Sequence, residues 1–236
     1  MAKLLLMLDC DGTLMDSIGA WHEAEIALLD EVGVSLTKAE RDELNALTLE
    51  EAGEFFHERF GIRKSSQAVV DAVLAYLLEF YRTRSEAMPG ALDFVKAMHE
   101  VGIAMCVISS SPQSFLQAGM ERGGFLPYIE RIISVEDLAT TKRDSATYEH
   151  ICSLFGVDVK DSWLFDDSWY ALATARKAGC GTVGVYSADA CGTHEELARY
   201  SDVVVDSFEE LDRSRWLRAQ AVVADRGLQS LSYRFR

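Results

Sequence analysis

The chain has 236 residues, 49% of them hydrophobic and 26% charged, a composition that supports a substantial buried core in one large domain or two small ones. Its formal net charge of -15 disfavours nucleic acid or an anionic membrane surface as a partner, and no apolar run approaches the roughly 20 residues needed to cross a bilayer. Five scattered cysteines without C-x-x-C spacing point to reduced thiols in a soluble cytoplasmic protein rather than to a disulfide framework or a zinc site.

The first element is the apolar run Leu4–Leu8. It is too short for the apolar region of a signal peptide, and its continuous apolarity fits a strand buried on both faces of a parallel sheet. Asp9-Cys10-Asp11-Gly12-Thr13 follows at once. Carboxylates two apart at a strand end share a face, and the carboxyl end of a strand in an open α/β sheet is where ligands bind. Two acids this close repel, so one takes a proton unless a cation lies between them; a hard dication such as Mg²⁺ suits oxygen ligands. An EF-hand is excluded because its glycine belongs at loop position six, with a closing Glu at twelve, whereas Gly12 is fourth. An ordinary turn is the alternative at this point.

From Asp16 to Met88 the sequence offers no convincing strand. Four amphipathic helical runs occur instead: Trp21–Val32, Lys38–Asn45, Leu49–Arg59 and Val69–Arg82. Thr37 and Glu40 form a capping box, and Met88-Pro89-Gly90 is a stop signal. A helical insertion over 16–87 is therefore expected within an α/β core made of 1–15 and 88–212.

Beyond it, strand-like runs Ile103–Ile108, Arg131–Ser134, Trp163–Phe165, Thr182–Val185 and Val203–Val205 alternate with helix-length segments Ala91–Glu100, Ser114–Arg122, Ser145–Phe155 and Tyr170–Ala178. Such alternation predicts right-handed βαβ crossovers and a doubly wound, Rossmann-like parallel sheet. Ser109 ends one strand, and Ser110-Ser111-Pro112 opens a helix, with Ser111 expected at the N-cap and Pro112 at the first helical position. The free N–H groups there, with Ser109 and Ser110, are a candidate phosphate cradle. Lys142, ahead of the next helix, is either a solvated charge or a point cation for a phosphoryl oxygen. The acid pair Asp166-Asp167, followed by Ser168, ends another strand, as an N-cap cluster or as metal ligands converging with Asp9 and Asp11. The stretch 213–236 carries six arginines against Asp225; a terminal helix packed by Trp216, Leu217, Val222 and Val223 is expected, with an interaction tail as the alternative.

The run Asp9 to Ser17, followed in order by Ser109, Lys142 and Asp166-Asp167-Ser168, resembles the haloacid dehalogenase superfamily. The likeness extends to about Leu211 and includes a helical cap after the first strand, as in the phosphoglycolate phosphatase and β-phosphoglucomutase branch. The resemblance implies Asp9 as the nucleophile that becomes an aspartyl-phosphate and Asp11 as general acid, then base. Ser109 and Lys142 would hold phosphoryl oxygens. Mg²⁺ would be bound by the Asp9 carboxylate, the Asp11 backbone carbonyl and an acid of the last motif, Asp167 before Asp166. Two positions depart from the family's pattern. Lys142-Arg143-Asp144-Ser145 stands where Lys-Pro and a second proline are common, and Arg143 is a candidate to share the task of Lys142. Trp169-Tyr170-Ala171 stands where a glycine is usual.

Dehalogenation is disfavoured by Asp11, and phosphonate cleavage by the absence of a well-placed cap lysine, since only Lys38 and Lys64 are available. A phosphomutase shares every core residue. Its hinge histidine would fall where Trp21 stands, with His22 one position off, so a phosphatase is preferred. A non-catalytic binding protein on the same fold is disfavoured by the intact acids. Asp16, Ser17, Trp21, His22 and Thr48 are the expected substrate contacts around the cap. The expected partner is a small phosphorylated metabolite, such as a sugar phosphate or a phosphoglycolate-like acid, taken by a monomer or weak homodimer.

Overall fold

A computed structural model describes residues 4–44, 47, 49–187, 193–212, 214 and 216. The chain divides into two compact units, Ser17–Arg84 and the remainder, Met1–Asp16 with Ser85–Arg236. In chain order the elements are β1 (Leu5–Leu8), β2 (Met15–Asp16), α1 (Ile18–Asp30), α2 (Lys38–Leu44), α3 (Leu49–Phe60), α4 (Ser66–Thr83) and β3 (Glu86–Ala87). They continue as α5 (Ala91–Glu100), β4 (Ala104–Ser109), α6 (Gln113–Arg122), β5 (Arg131–Ser134), α7 (Ser145–Phe155) and β6 (Ser162–Asp166). The last are α8 (Trp169–Ala178), β7 (Gly181–Val185), α9 (His194–Tyr200) and β8 (Val203–Val205).

Six strands form one sheet in the order β5-β4-β1-β6-β7-β8, and every pair is parallel. Parallel neighbours need crossover connections, and helices supply them. Side chains alternate between the two faces of a strand, so each strand feeds two cores. Leu6 and Leu8 pack with Phe94, Val95 and Met98 of α5 and Leu116 and Met120 of α6. Leu5 and Met7 pack with Tyr148 and Ile151 of α7, Ala171 and Leu172 of α8, and Leu197 of α9. This is a doubly wound α/β fold. Burial on both faces explains the continuous apolar runs, each large side chain contributing about 1.5–3 kcal/mol.

Register sets the site. Leu8 lies opposite Val107 of β4 and Phe165 of β6, so the carboxyl ends of these three strands meet at one edge. Asp9 extends the ladder by one more bond, its N–H donating to the Phe165 carbonyl at 2.9 Å.

Within the helical unit, α3 and α4 approach closely at Gly53, where a Cβ would come 2.6 Å from a Val70 methyl. Phe56, Val69, Val70, Val73 and Leu77 are buried there. Arg84 binds Glu23 at 2.8 Å and the Tyr76 hydroxyl at 2.9 Å. The capping box holds: Thr37 N–H donates to Glu40 at 2.8 Å, and Glu40 N–H to Thr37 Oγ1 at 3.3 Å.

Three expectations are corrected. The stretch read as strandless contributes to an antiparallel ribbon, Met15–Asp16 on Glu86–Ala87; two residues per strand are too few to show a period of two. Helix α6 begins at Gln113 with Pro112 in the N-cap position, because the extended backbone of Pro112 (ψ 142°) keeps it outside the helix. Ser168, not the acid pair, is the N-cap of α8, and it makes no side-chain capping bond. Among the described residues no helix is long and apolar enough to cross a membrane, and the four described cysteines are free and buried. Of the expected terminal helix only Ser214 and the buried Trp216 are described; Leu217, Val222, Val223 and the arginines lie outside the described residues.

Candidate active site

The loop after β1 is tied to a single carbonyl. Cys10 O accepts from Leu14 N–H at 3.0 Å and Met15 N–H at 2.8 Å, while Gly12 N–H donates to Met15 O at 2.9 Å. Gly12 sits at φ 75°, left-handed backbone that glycine adopts without steric cost. Cys10 falls into the core, and Asp9, 4% exposed, faces the strand-end edge.

There the buried Lys142 donates to Asp9 Oδ1 and, at 2.8 Å, to Asp166 Oδ2. Lys142 is held from behind by the Tyr148 hydroxyl, which lies 3.0 Å from the Lys142 carbonyl and 3.2 Å from that of Ala171. The other oxygen of Asp166 accepts from Ser168 N–H at 2.8 Å, and Asp167 Oδ1 accepts from Ser168 Oγ at 3.2 Å. Ser111 Oγ donates to Asp11 Oδ2 at 2.6 Å, Ser109 Oγ lies 3.3 Å from the same oxygen, and Ser111 N–H donates to Ser109 Oγ at 3.0 Å.

The electrostatics follow from this packing. Burial pushes the Asp9 carboxyl well above its ordinary pKa; Lys142 opposes that shift, while Asp166, Asp167 and Asp11 add to it. Burial, with the Asp166 charge, raises Asp167 to about 7. Burial works against the Lys142 ammonium, but the Asp166 and Asp9 carboxylates outweigh it and hold the pKa well above the ordinary lysine value. One ammonium therefore faces three buried carboxylates. The excess negative charge must be met by protons or by a further cation. Ligand oxygens of Asp9, Asp166 and Asp167 lie within 4.8 Å of one another, a set of hard oxygens that fits Mg²⁺. Since both oxygens of Asp166 are already engaged, Asp167 and Asp9 are the freer ligands.

Of the residues expected from sequence, Asp9, Asp11, Ser109, Lys142, Asp166 and Asp167 gather at this edge. Ser110 does not: it is exposed, and its neighbour Ser111 takes the place beside Asp11. Arg143 is exposed, its guanidinium lying over the Tyr170 ring. Asp16 is exposed in β2. In the helical unit, Trp21 lines a cavity of about 240 Å³ together with Leu44, Phe56 and Val70; His22 lies 3.4 Å from Glu25. Thr48 lies outside the described residues. Tyr148 was missed as a site residue, since an aromatic on an apolar helix face reads as core.

A doubly wound α/β sheet bearing a lysine among converging carboxylates defines an enzyme built to handle an anionic group. The comparisons specify it. Residues 6–185 match the family model described as haloacid dehalogenase-like hydrolase, and the chain belongs to that family. It is similar to 6-phosphogluconate phosphatase of Escherichia coli (strain K12), 26% identical over 173 residues that cover 72% of this chain and 77% of the relative. Hexitol phosphatase B of the same strain is 24% identical over 212 residues, covering 88% and 94%. A HAD family hydrolase from Deinococcus radiodurans R1, crystallised with bound phosphate and sodium, superposes with a TM-score of 0.72 at 18% identity, over 92% of this chain and 96% of that one; this likeness shows the fold. The chain is accordingly a hydrolase of the phosphatase type.

Proposed function

We propose that the chain is a Mg²⁺-dependent phosphatase of a small phosphorylated metabolite, working through an aspartyl-phosphate at Asp9. The observation that carries this reading is the buried Lys142 ammonium bridging Asp9 and Asp166, with Asp167 alongside. Asp9 attacks phosphorus, forming one P–O bond as the ester P–O bond breaks. Asp11 gives its proton to the leaving alcohol, then takes one from the water that cleaves the acyl phosphate. Ser111, at 2.6 Å, fixes the Asp11 carboxyl for both transfers. Lys142 and Ser109 hold phosphoryl oxygens. The residues that would hold Mg²⁺ are Asp9, the Asp11 carbonyl and Asp167, with Asp166 positioning Lys142. When bound, Mg²⁺ neutralises the charge of phosphate against carboxylate, the main requirement of phosphoryl transfer.

Two relatives named as phosphatases of phosphorylated sugar acids and hexitols support a substrate of that size class. The test is release of inorganic phosphate from an aryl phosphate and from a panel of phosphorylated metabolites, with and without Mg²⁺, in wild type and Asp9→Asn. Metal-dependent release that is lost in Asp9→Asn is expected. No release, or release indifferent to both changes, overturns the reading.

A further inference from the structure

Successive residues of the loop before α7 do different work. Lys142 is buried against Asp9 and Asp166, whereas the exposed Arg143 lies with its guanidinium carbon 3.9 Å from the centre of the Tyr170 ring. That distance is close for a cation–π contact, which reaches to about 6 Å. Stacking engages only the flat face of a guanidinium and leaves its fork of N–H donors pointing outward. Among the described residues no carboxylate pairs with Arg143. Its neighbour Asp144 is committed elsewhere, capping α7 through Ala146 N–H at 3.0 Å, and the Arg143 N–H is tied to Thr141 Oγ1 at 3.2 Å. Arg82 and Arg131 are likewise exposed without a carboxylate partner among the described residues, so it is the place of Arg143, directly after Lys142, that sets it apart.

Its position relates it to the acid cluster. Tyr170 is in the first turn of α8, two residues after Ser168, whose backbone and hydroxyl bind Asp166 and Asp167. Tyr170 is half-buried, and burial followed by the charge of Asp166 raises its phenol pKa. Tyr170 thus follows the acid pair by three residues in sequence and carries Arg143 stacked on its ring.

We infer that Arg143, held on Tyr170, is a specificity residue that receives a carboxylate carried by the substrate at a distance from the phosphate, so that phosphorylated acids are preferred over phosphorylated neutral alcohols. This rests on the phosphatase reading above. The field of an acidic protein repels the second negative charge of such a substrate. A planar fork recognises a carboxylate through paired donors, and stacking on Tyr170 pre-organises it, so less side-chain freedom is lost on binding.

The test uses a matched pair, 6-phosphogluconate and sorbitol 6-phosphate, which differ at one end as carboxylate against hydroxymethyl. The readout is the ratio of their kcat/KM values, in wild type, Arg143→Ala, Arg143→Lys, Tyr170→Leu and the control Lys160→Ala, which removes a surface charge paired with Asp158. Arg143→Ala is expected to lower the acid-to-neutral ratio roughly 10- to 100-fold, mainly through KM. Arg143→Lys should restore part of it, Tyr170→Leu should lower it less than Arg143→Ala, and Lys160→Ala should leave it within about twofold of wild type, as expected for a rim charge screened by solvent. An unchanged ratio in Arg143→Ala, or an equal fall in Lys160→Ala, overturns the assignment. If the wild type hydrolyses neither compound, the phosphatase reading is decided by the aryl phosphate and the panel above. Calorimetric binding of the same pair then decides for Arg143: a preference for the acid that is lost in Arg143→Ala supports it, and the absence of any preference overturns it.

Discussion

Substituting Asp167 by Asn should make the metal-free protein more stable at alkaline pH. Asp167 is 3% exposed, and its pKa is raised from 3.8 to about 7, first by burial and then by Asp166. Between those two values the folded protein holds a proton that the unfolded chain has released. Stability therefore falls as pH rises through this window, and the cost is complete above it. A shift of this size corresponds to about 4 kcal/mol in full, of which about 3 kcal/mol develops between pH 5 and pH 8. Asn keeps the shape and removes the charge. Urea unfolding in the presence of a chelator at pH 5 and pH 8 measures the effect. Wild type should lose at least about 3 kcal/mol more over this interval than Asp167→Asn, because the substitution removes the Asp167 titration and, with it, one of the charges that raise Asp9. Equal losses in the two proteins would refute the reasoning.

Other outcomes follow from the same cluster and from the sheet. Adding Mg²⁺ at pH 8 to about 100 times its dissociation constant should stabilise wild type by about 2.7 kcal/mol, and Asp167→Asn by less, as read by the urea midpoint. Lys142→Met strips the cation from two buried carboxylates and should cost about 3–5 kcal/mol, less at pH 5, where the acids take up protons; a pH-independent loss would contradict this. Tyr148→Phe removes the hydroxyl that serves the Lys142 and Ala171 carbonyls and should cost about 1–3 kcal/mol, visible in thermal unfolding. Gly181→Ala places a Cβ 2.4 Å from the Trp163 indole, and the overpacking should cost about 1–3 kcal/mol; a neutral result would mean that the ring moves freely.

Much of the core was legible because its strands are buried on both faces, which leaves continuous apolar runs that few other structures produce. Asp9, Lys142 and Asp166-Asp167 were legible because each follows such a run. The exchange of Ser110 for Ser111 was readable too, since Ser109 and Ser111 have the same two-residue spacing as Asp9 and Asp11. A helix-start reading of Ser-Pro hid it. The ribbon β2–β3 was not readable, because two residues carry no period, and Met15 and Asp16 find Ala87 and Glu86 across an insertion of helices. The stacking of Arg143 on Tyr170 required coordinates: both residues stood out as departures from the family pattern, but nothing in their spacing pairs them.

The central place of β1 also has a consequence for synthesis. This strand needs β4 on one side and β6 on the other, and the lysine that meets Asp9 lies 133 positions further along the chain. At a translation rate of about 5–20 residues per second, the interval is roughly 7–27 s. Leu5–Leu8 have no strand partner until β4 (Ala104–Ser109) is made, and one edge stays open until β6 (Ser162–Asp166) follows, while the helices of 17–84 have all the residues of their own compact unit before either arrives. Strand β1 is thus completed only long after it is made, and the nascent chain is most exposed to aggregation at the residues that lead directly into Asp9.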